Sequence, residues 1–158
     1  MNPSPIEDAA LQQMRMECRH RNHRPKSKTP AECEAKLNRE WQETTQALFT
    51  AKSSEDFGTM AVLYFQIANK FYDLGRPDFR DFLTRSSLAN LNSHRGLGVA
   101  KVKLRTESCC DECAAYGGAS IGLEEAISQS LVPIASCTND IKPIGVGRCV
   151  CEYLPVFD

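Results

Sequence analysis

Long apolar runs are missing from this chain. No stretch approaches the roughly 18 consecutive apolar residues that a membrane-spanning helix needs, so no membrane partner is expected. The opening segment, Met1 to Met14, lacks a basic stretch followed by an apolar one, so no secretory leader is read there and a cytoplasmic location is expected. Histidine is scarce: His20, His23 and His94 are the only three, and none lies among the C-terminal cysteines. Catalytic zinc sites keep an open position and usually include histidine or a nearby general base, so this scarcity argues against a metalloenzyme. The deaminase pattern H-x-E followed by P-C-x-x-C is absent. His94-Arg95-Gly96-Leu97-Gly98 lacks the lysine of a phosphate loop and reads as a linker. An excess of one charge is missing as well, the formal net charge being -1.

The distribution of charge is more informative than its sum. Residues 1–106 carry 17 Lys+Arg against 12 Asp+Glu, whereas residues 107–158 carry 2 against 8. The front is basic and the back acidic. At 158 residues, 42% of them hydrophobic, the chain is long enough for one ordinary domain or two small ones. We expect an α+β protein in three parts: a flexible basic arm over 1–28, a helical region over 29–96 and a zinc-binding module over 97–158. The helical region should be a three-helix bundle, and the module a β-hairpin plus helix stapled by zinc.

The helices are well punctuated. Thr29-Pro30-Ala31-Glu32 is a capping box with proline at the first helical position, and it predicts a helix over about 30–52 carrying Cys33, Leu37, Trp41 and Leu48 on one face. Ser53 or Ser54 should cap the next helix, whose apolar face is Phe57, Met60, Ala61, Tyr64, Ile67, Ala68 and Phe71, with Gly75 ending it. A third starts at Pro77 and packs Phe79, Phe82, Leu83 and Leu91. The stretch AVLYFQIANKFYDLGRPDFRDFLTRSSLANL is similar to a single tetratricopeptide hairpin. One repeat makes no solenoid, so the resemblance implies a plain helical hairpin.

Beyond Gly98 the periodicity changes to two. Val102 and Leu104 alternate with Lys101, Lys103 and Arg105, which predicts a half-buried strand leading into the cysteines. Gly117-Gly118 marks a turn, Ser120-Ile121 a short strand, and LEEAISQS a two-turn helix. A last strand from Val146 to Leu154 should place Cys149, Cys151 and Tyr153 on one face.

Six of the eight cysteines fall in the last 50 residues. In a reducing compartment the eight are not expected to form a disulfide framework. Cys110-Asp-Glu-Cys113 has the two-residue spacer that lets a tight turn aim both sulfurs at one point, and Cys149-Val-Cys151 offers a second pair on an extended segment. Cys137 lies between them. Five candidates, Cys110, Cys113, Cys137, Cys149 and Cys151, compete for the four places of one structural Zn2+. Cys109 is out of phase with the turn. Buried free thiols are the plain alternative, but thiols chosen for packing need not fall into close pairs. Zinc is preferred to an iron–sulfur cluster for a module of this size.

The segment CCDECAAYGG…LEEAI…VPIASC…GRCVCEYLPV resembles the cysteine-rich C-terminal region of phage Mu F-like head morphogenesis (minor capsid) proteins. The shared features are a strand entering C-x2-C, a glycine turn, a leucine-acid-acid-alanine helix start and a closing Cys-x-Cys strand. Cys110, Cys113, Cys149 and Cys151 match the cysteines of that pattern, with Gly117 or Gly118 at its turn. Cys137 and the 11 residues between it and Cys149 depart from it. The resemblance implies a metal module and a phage-derived scaffolding role.

The function expected is therefore a non-catalytic, metal-binding protein whose partner is another protein. The alternative is a nucleic-acid-associated protein that neutralises phosphates with Arg15, Arg19, Arg21, Arg24, Lys26 and Lys28 of the arm. The acidic C-terminal module would repel such a backbone, which weighs against it.

Overall fold

The computed structural model describes residues 9, 11–16, 29–106, 110–139 and 148–157. The chain divides into two compact units, Met1–Thr50 and Ala51–Asp158. Among the described residues no helix is long and apolar enough to cross a membrane.

In the first unit, residues 11–16 are helical and α1 spans Pro30–Ser53, its last three residues running into the second unit. The capping box forms as expected: the Thr29 N–H donates to Glu32 Oε2 at 2.7 Å, and the Glu32 N–H donates to Thr29 Oγ1 at 3.3 Å. Arg15, in the segment expected to be a flexible arm, has partners on α1. Its Nε donates to Asn38 Oδ1 at 2.9 Å and stands 3.9 Å from Glu34 Oε1, while Met14 beside it is buried. A guanidinium already held by an amide and a carboxylate is a poor phosphate ligand. Arg19, Arg21, Arg24, Lys26 and Lys28 lie outside the described residues. Cys33 departs from the expectation that the eight cysteines are not a disulfide framework, since it is disulfide-bonded.

The second unit opens with a helical hairpin, α2 (Phe57–Asp73) and α3 (Phe79–Gly96). The expected cap at Ser53 or Ser54 is corrected: Asp56 caps α2, its carboxylate accepting from the Thr59 N–H at 3.0 Å and the Thr59 hydroxyl at 2.6 Å. The chain reaches Asp56 through a turn that puts Glu55 at φ 55°, and the Asp56 N–H bonds the Ala51 carbonyl at 2.9 Å. Gly75 ends α2 at φ 67°, a left-handed position where glycine has no Cβ penalty. The hairpin core is aromatic. Phe71 meets Phe82 edge-on at 4.8 Å between ring centroids, and Tyr72 meets Phe79 in the same way at 5.1 Å. Burying each such ring contributes about 1.5–3 kcal/mol relative to exposure.

Three strands follow, β1 (Lys101–Arg105), β2 (Ser120–Gly122) and β3 (Glu152–Val156), as an antiparallel sheet in the order β2-β1-β3. Val102 pairs with Ile121 on one side and Pro155 on the other, and Leu104 pairs with Tyr153. Val102 and Leu104 are buried and the basic residues between them exposed, as the alternation predicts. Pro155 sits in an edge strand, where a missing N–H is tolerated. The short helices α4 (Asp111–Ala114) and α5 (Leu123–Gln129) flank β2. The last strand is a correction, because it begins at Glu152 and Cys149 and Cys151 precede it.

The boundary expected at 96/97 falls inside the second unit, for a physical reason. Leu91 of α3 belongs to the same buried cluster as Val99, Val102, Leu104, Leu123, Val132, Ile134 and Tyr153, together with Cys113, Cys137, Cys149 and Cys151. Asn90 Nδ2 and His94 Nε2 each lie 3.3 Å from the Tyr153 carbonyl, tying α3 to β3. Helix, sheet and cysteines thus share one core.

Candidate metal centre

Three stretches of backbone bring the cysteines together. The first is a single helical turn. Cys110 is extended and its carbonyl accepts from the N–H groups of both Cys113 and Ala114 at 3.0 Å, so α4 folds straight back and returns Cys113 toward Cys110. The turn leaving α4 needs its glycines. A Cβ on Gly117 would stand 2.2 Å from Thr106 Oγ1, and Gly118 adopts φ 96°.

The second stretch runs from Leu131 to Asn139. The Val132–Pro133 bond is cis, and the Cys137 N–H bonds the Ile134 carbonyl at 3.2 Å. This turn directs Cys137 inward, 3.9 Å from Cys110 sulfur to sulfur. The third stretch is extended from Arg148 to Cys151, burying Cys149 and Cys151 and exposing Val150 between them. That preserves the expected face although the residues are not in a ladder. The second and third stretches clasp each other: the Arg148 N–H donates to the Asn139 carbonyl at 2.7 Å, and Asn139 Nδ2 donates to the Arg148 carbonyl at 2.9 Å.

The five sulfurs form two triads. Those of Cys110, Cys113 and Cys137 lie within 4.8 Å of one another, and so do those of Cys113, Cys149 and Cys151. Cys113, fully buried, belongs to both. Zn–S bonds of about 2.3 Å place tetrahedral sulfurs about 3.8 Å apart, so the Cys110–Cys137 separation already matches a metal site. All five expected ligands are therefore gathered, where spacing alone left Cys137 unattached to either pair. Cys109 lies outside the described residues.

Backbone N–H groups point at the sulfurs. Thr138 donates to Cys110 Sγ at 3.3 Å and Ile134 to Cys149 Sγ at 3.4 Å, and the Asn139 N–H bonds Cys137. Such donors favour thiolate over thiol. The Thr138 hydrogen bonds lower the Cys110 thiol to about 6, and the half-buried site leaves it the most accessible of the five. Burial acts the other way on the remaining members of that triad. It raises Cys113 strongly and Cys137 to about 11, so both hold their protons at neutral pH unless a cation replaces them. The donors Thr138 and Asn139 were missed in the sequence. Their signal was their place immediately after Cys137, where N–H groups can turn back on a sulfur.

Two carboxylates of this region, Glu124 and Glu152, have structural partners. Glu124, at the start of α5, forms a two-point ion pair with Arg95 through Oε1 at 2.8 Å to Nε and through Oε2 to Nη2, which lowers its pKa. Glu152 pairs with Arg105 at 2.6 Å. No family model, curated protein or solved structure matches the chain.

Proposed function

We propose that Cys110, Cys113 and Cys137, with one of Cys149 and Cys151, hold a single Zn2+ whose role is structural, and that the protein is a non-catalytic interaction or scaffolding factor built around this centre. The observation that carries the reading is the convergence of five thiols from three separate stretches, with peptide N–H groups aimed at three of the sulfurs. The donor set is all cysteine, and the ligands sit in the core shared by α3 and the sheet, which is the pattern of a site that supplies folding energy.

An apolar groove beside the centre supports a protein partner. A cavity of about 420 Å³ is lined by Val62, Phe65, Val132, Val150 and Tyr153, and Val62, Phe65 and Val150 are exposed. Apolar groups clustered on a surface mark contact sites more often than scattered ones. The kinship with Mu F-like head morphogenesis proteins is part of this proposal and rests on the cysteine pattern alone. Elemental analysis of protein purified without added metal tests the centre. One zinc per chain is expected, and metal-free protein whose melting a strong chelator does not change would refute it.

A further inference from the structure

We infer that Arg80 and Arg148 form the outer wall of the metal centre, cancelling the negative charge left when four thiolates hold a dication, and so fit the site to a divalent metal ion. The inference rests on the reading of the cysteines as a metal site and assigns two residues outside the ligand set.

The Arg80 guanidinium lies one peptide away from a ligand, and the Arg148 backbone adjoins one. Arg80 Nη2 donates to the carbonyls of Pro133 and Ile134 at 3.1 and 3.0 Å, and the Ile134 N–H in turn donates to Cys149 Sγ. Arg148 precedes Cys149 directly, and its backbone is clasped to Asn139, whose own N–H bonds Cys137. Its side chain is pinned over the Tyr72 ring at 5.3 Å, with Nη1 donating to Asn69 Oδ1 at 3.2 Å.

Neither arginine has a carboxylate partner among the described residues, whereas Arg76, Arg95 and Arg105 pair with Asp78, Glu124 and Glu152. Arg85 lacks one too, but it is exposed. Arg80 and Arg148 are partly buried, and Arg80 Nη1 and Arg148 Nε are enclosed with no hydrogen-bond acceptor. Partly buried charge bonded only to neutral carbonyls and an amide is costly unless something nearby answers it. A dication in four thiolates carries two formal negative charges, which two guanidiniums balance. A metal centre and two unanswered arginines each explain the other.

The test is a zinc titration of the full chain against a chromophoric chelator at neutral pH, with Arg80→Gln, Arg148→Gln, the double variant and the corresponding lysine variants. Glutamine keeps a donor and removes the charge; lysine keeps the charge. Each glutamine change should weaken zinc binding about tenfold and the pair about a hundredfold, the range typical of groups just outside the ligand shell. Lysine should keep it within about threefold, and Arg85→Gln should leave it unchanged. Equal affinity in every variant, or glutamine that holds zinc where lysine fails, overturns the inference. If a glutamine variant loses cooperative melting, the lysine variants decide alone, since a tenfold loss there refutes the charge argument. Failure of the wild-type chain to bind zinc sinks the metal centre itself, a separate result.

Discussion

Replacing Cys113 by valine separates a metal centre from a cluster of packed thiols. Cys113 is fully buried, lies at the junction of the two triads and sits in the core with Leu91, Val102 and Tyr153. If the five sulfurs only fill space, cysteine behaves there as a small apolar side chain, and a valine of similar size costs less than about 1.5 kcal/mol. That corresponds to a few degrees in Tm for a unit of this size. If Cys113 is a ligand, the change removes the vertex common to both triads, and the four remaining sulfurs no longer contain a group of three within 4.8 Å of one another. Structural zinc contributes an apparent binding energy of about 10–16 kcal/mol, as large as the whole stability of a typical domain, about 5–15 kcal/mol. Cys113→Val should then carry no zinc, and the segments around Cys137 and Cys149 should lose protection from proteolysis. The α2–α3 hairpin, with its own aromatic contacts, should hold out longer. Thermal melts of wild type and variant, each with and without a strong chelator, provide the assay. A large chelator-induced drop in wild type and none in the variant is expected. Melts within a few degrees of each other under all four conditions would refute the reasoning.

Among the single Cys→Ser changes at 149 and 151, one should retain a full zinc equivalent and the other should lose it, because five sulfurs exceed a tetrahedral site by one; equal loss in both would show that the extended pair acts together. Zinc binding near pH 7 should release about two protons or more per ion, since burial keeps Cys113 and Cys137 protonated in the metal-free protein, while Cys110, at about 6, is already mostly thiolate. Affinity should therefore rise with pH, and calorimetry in buffers of different ionisation heat would count the protons; binding without release contradicts the assignment. Asp56→Ala should lower Tm at neutral pH. The Thr59 hydroxyl and N–H hold the Asp56 carboxyl below its ordinary value, so its stabilisation is present above that ordinary value and disappears as pH falls through the lowered one. A Tm difference that persists unchanged into acid would count against the cap.

Local chemistry was legible in the sequence wherever it was self-contained. The Thr29–Glu32 box needs only residues three apart, Gly75 needs only its own φ, and the alternation of Val102 and Leu104 fixes a face without knowing the neighbours. The α2 cap was misplaced because Ser53, Ser54 and Asp56 are all good caps. The choice among them depends on Glu55 taking a left-handed turn, which the residue types do not announce. The extent of the last strand was misjudged for a related reason. Alternating burial continues from Cys149 through Tyr153, but hydrogen-bonded pairing with β1 starts only at Glu152, opposite Arg105. At the site, the two close pairs were visible as spacing. The attachment of Cys137 was not, because it is made by the Ile134 turn and by the clasp between Asn139 and Arg148, contacts between residues nine apart. Arg80 carried no signal at all, since its bonds to Pro133 and Ile134 reach across more than fifty residues.

The structural role proposed for the centre rests on where the sulfurs sit as much as on what they are. Cys113, Cys137, Cys149 and Cys151 are core residues, enclosed by the sheet, α3 and the Val132–Ile134 segment. An ion held among them would be largely enclosed, with the half-buried Cys110 on one side and the groove lined by Cys149 and Cys151 on another. A catalytic metal needs an open position and usually a histidine ligand or a nearby general base, and the cysteine groups gathered among the described residues include no histidine. Glu124 and Glu152 are each held by an arginine. Thr138, whose N–H bonds Cys110 Sγ, lies in a loop that a bound ion would help to fix. Loss of the ion and loosening of that loop are thus one event, which is why metal content and the stability of the C-terminal segments should change together.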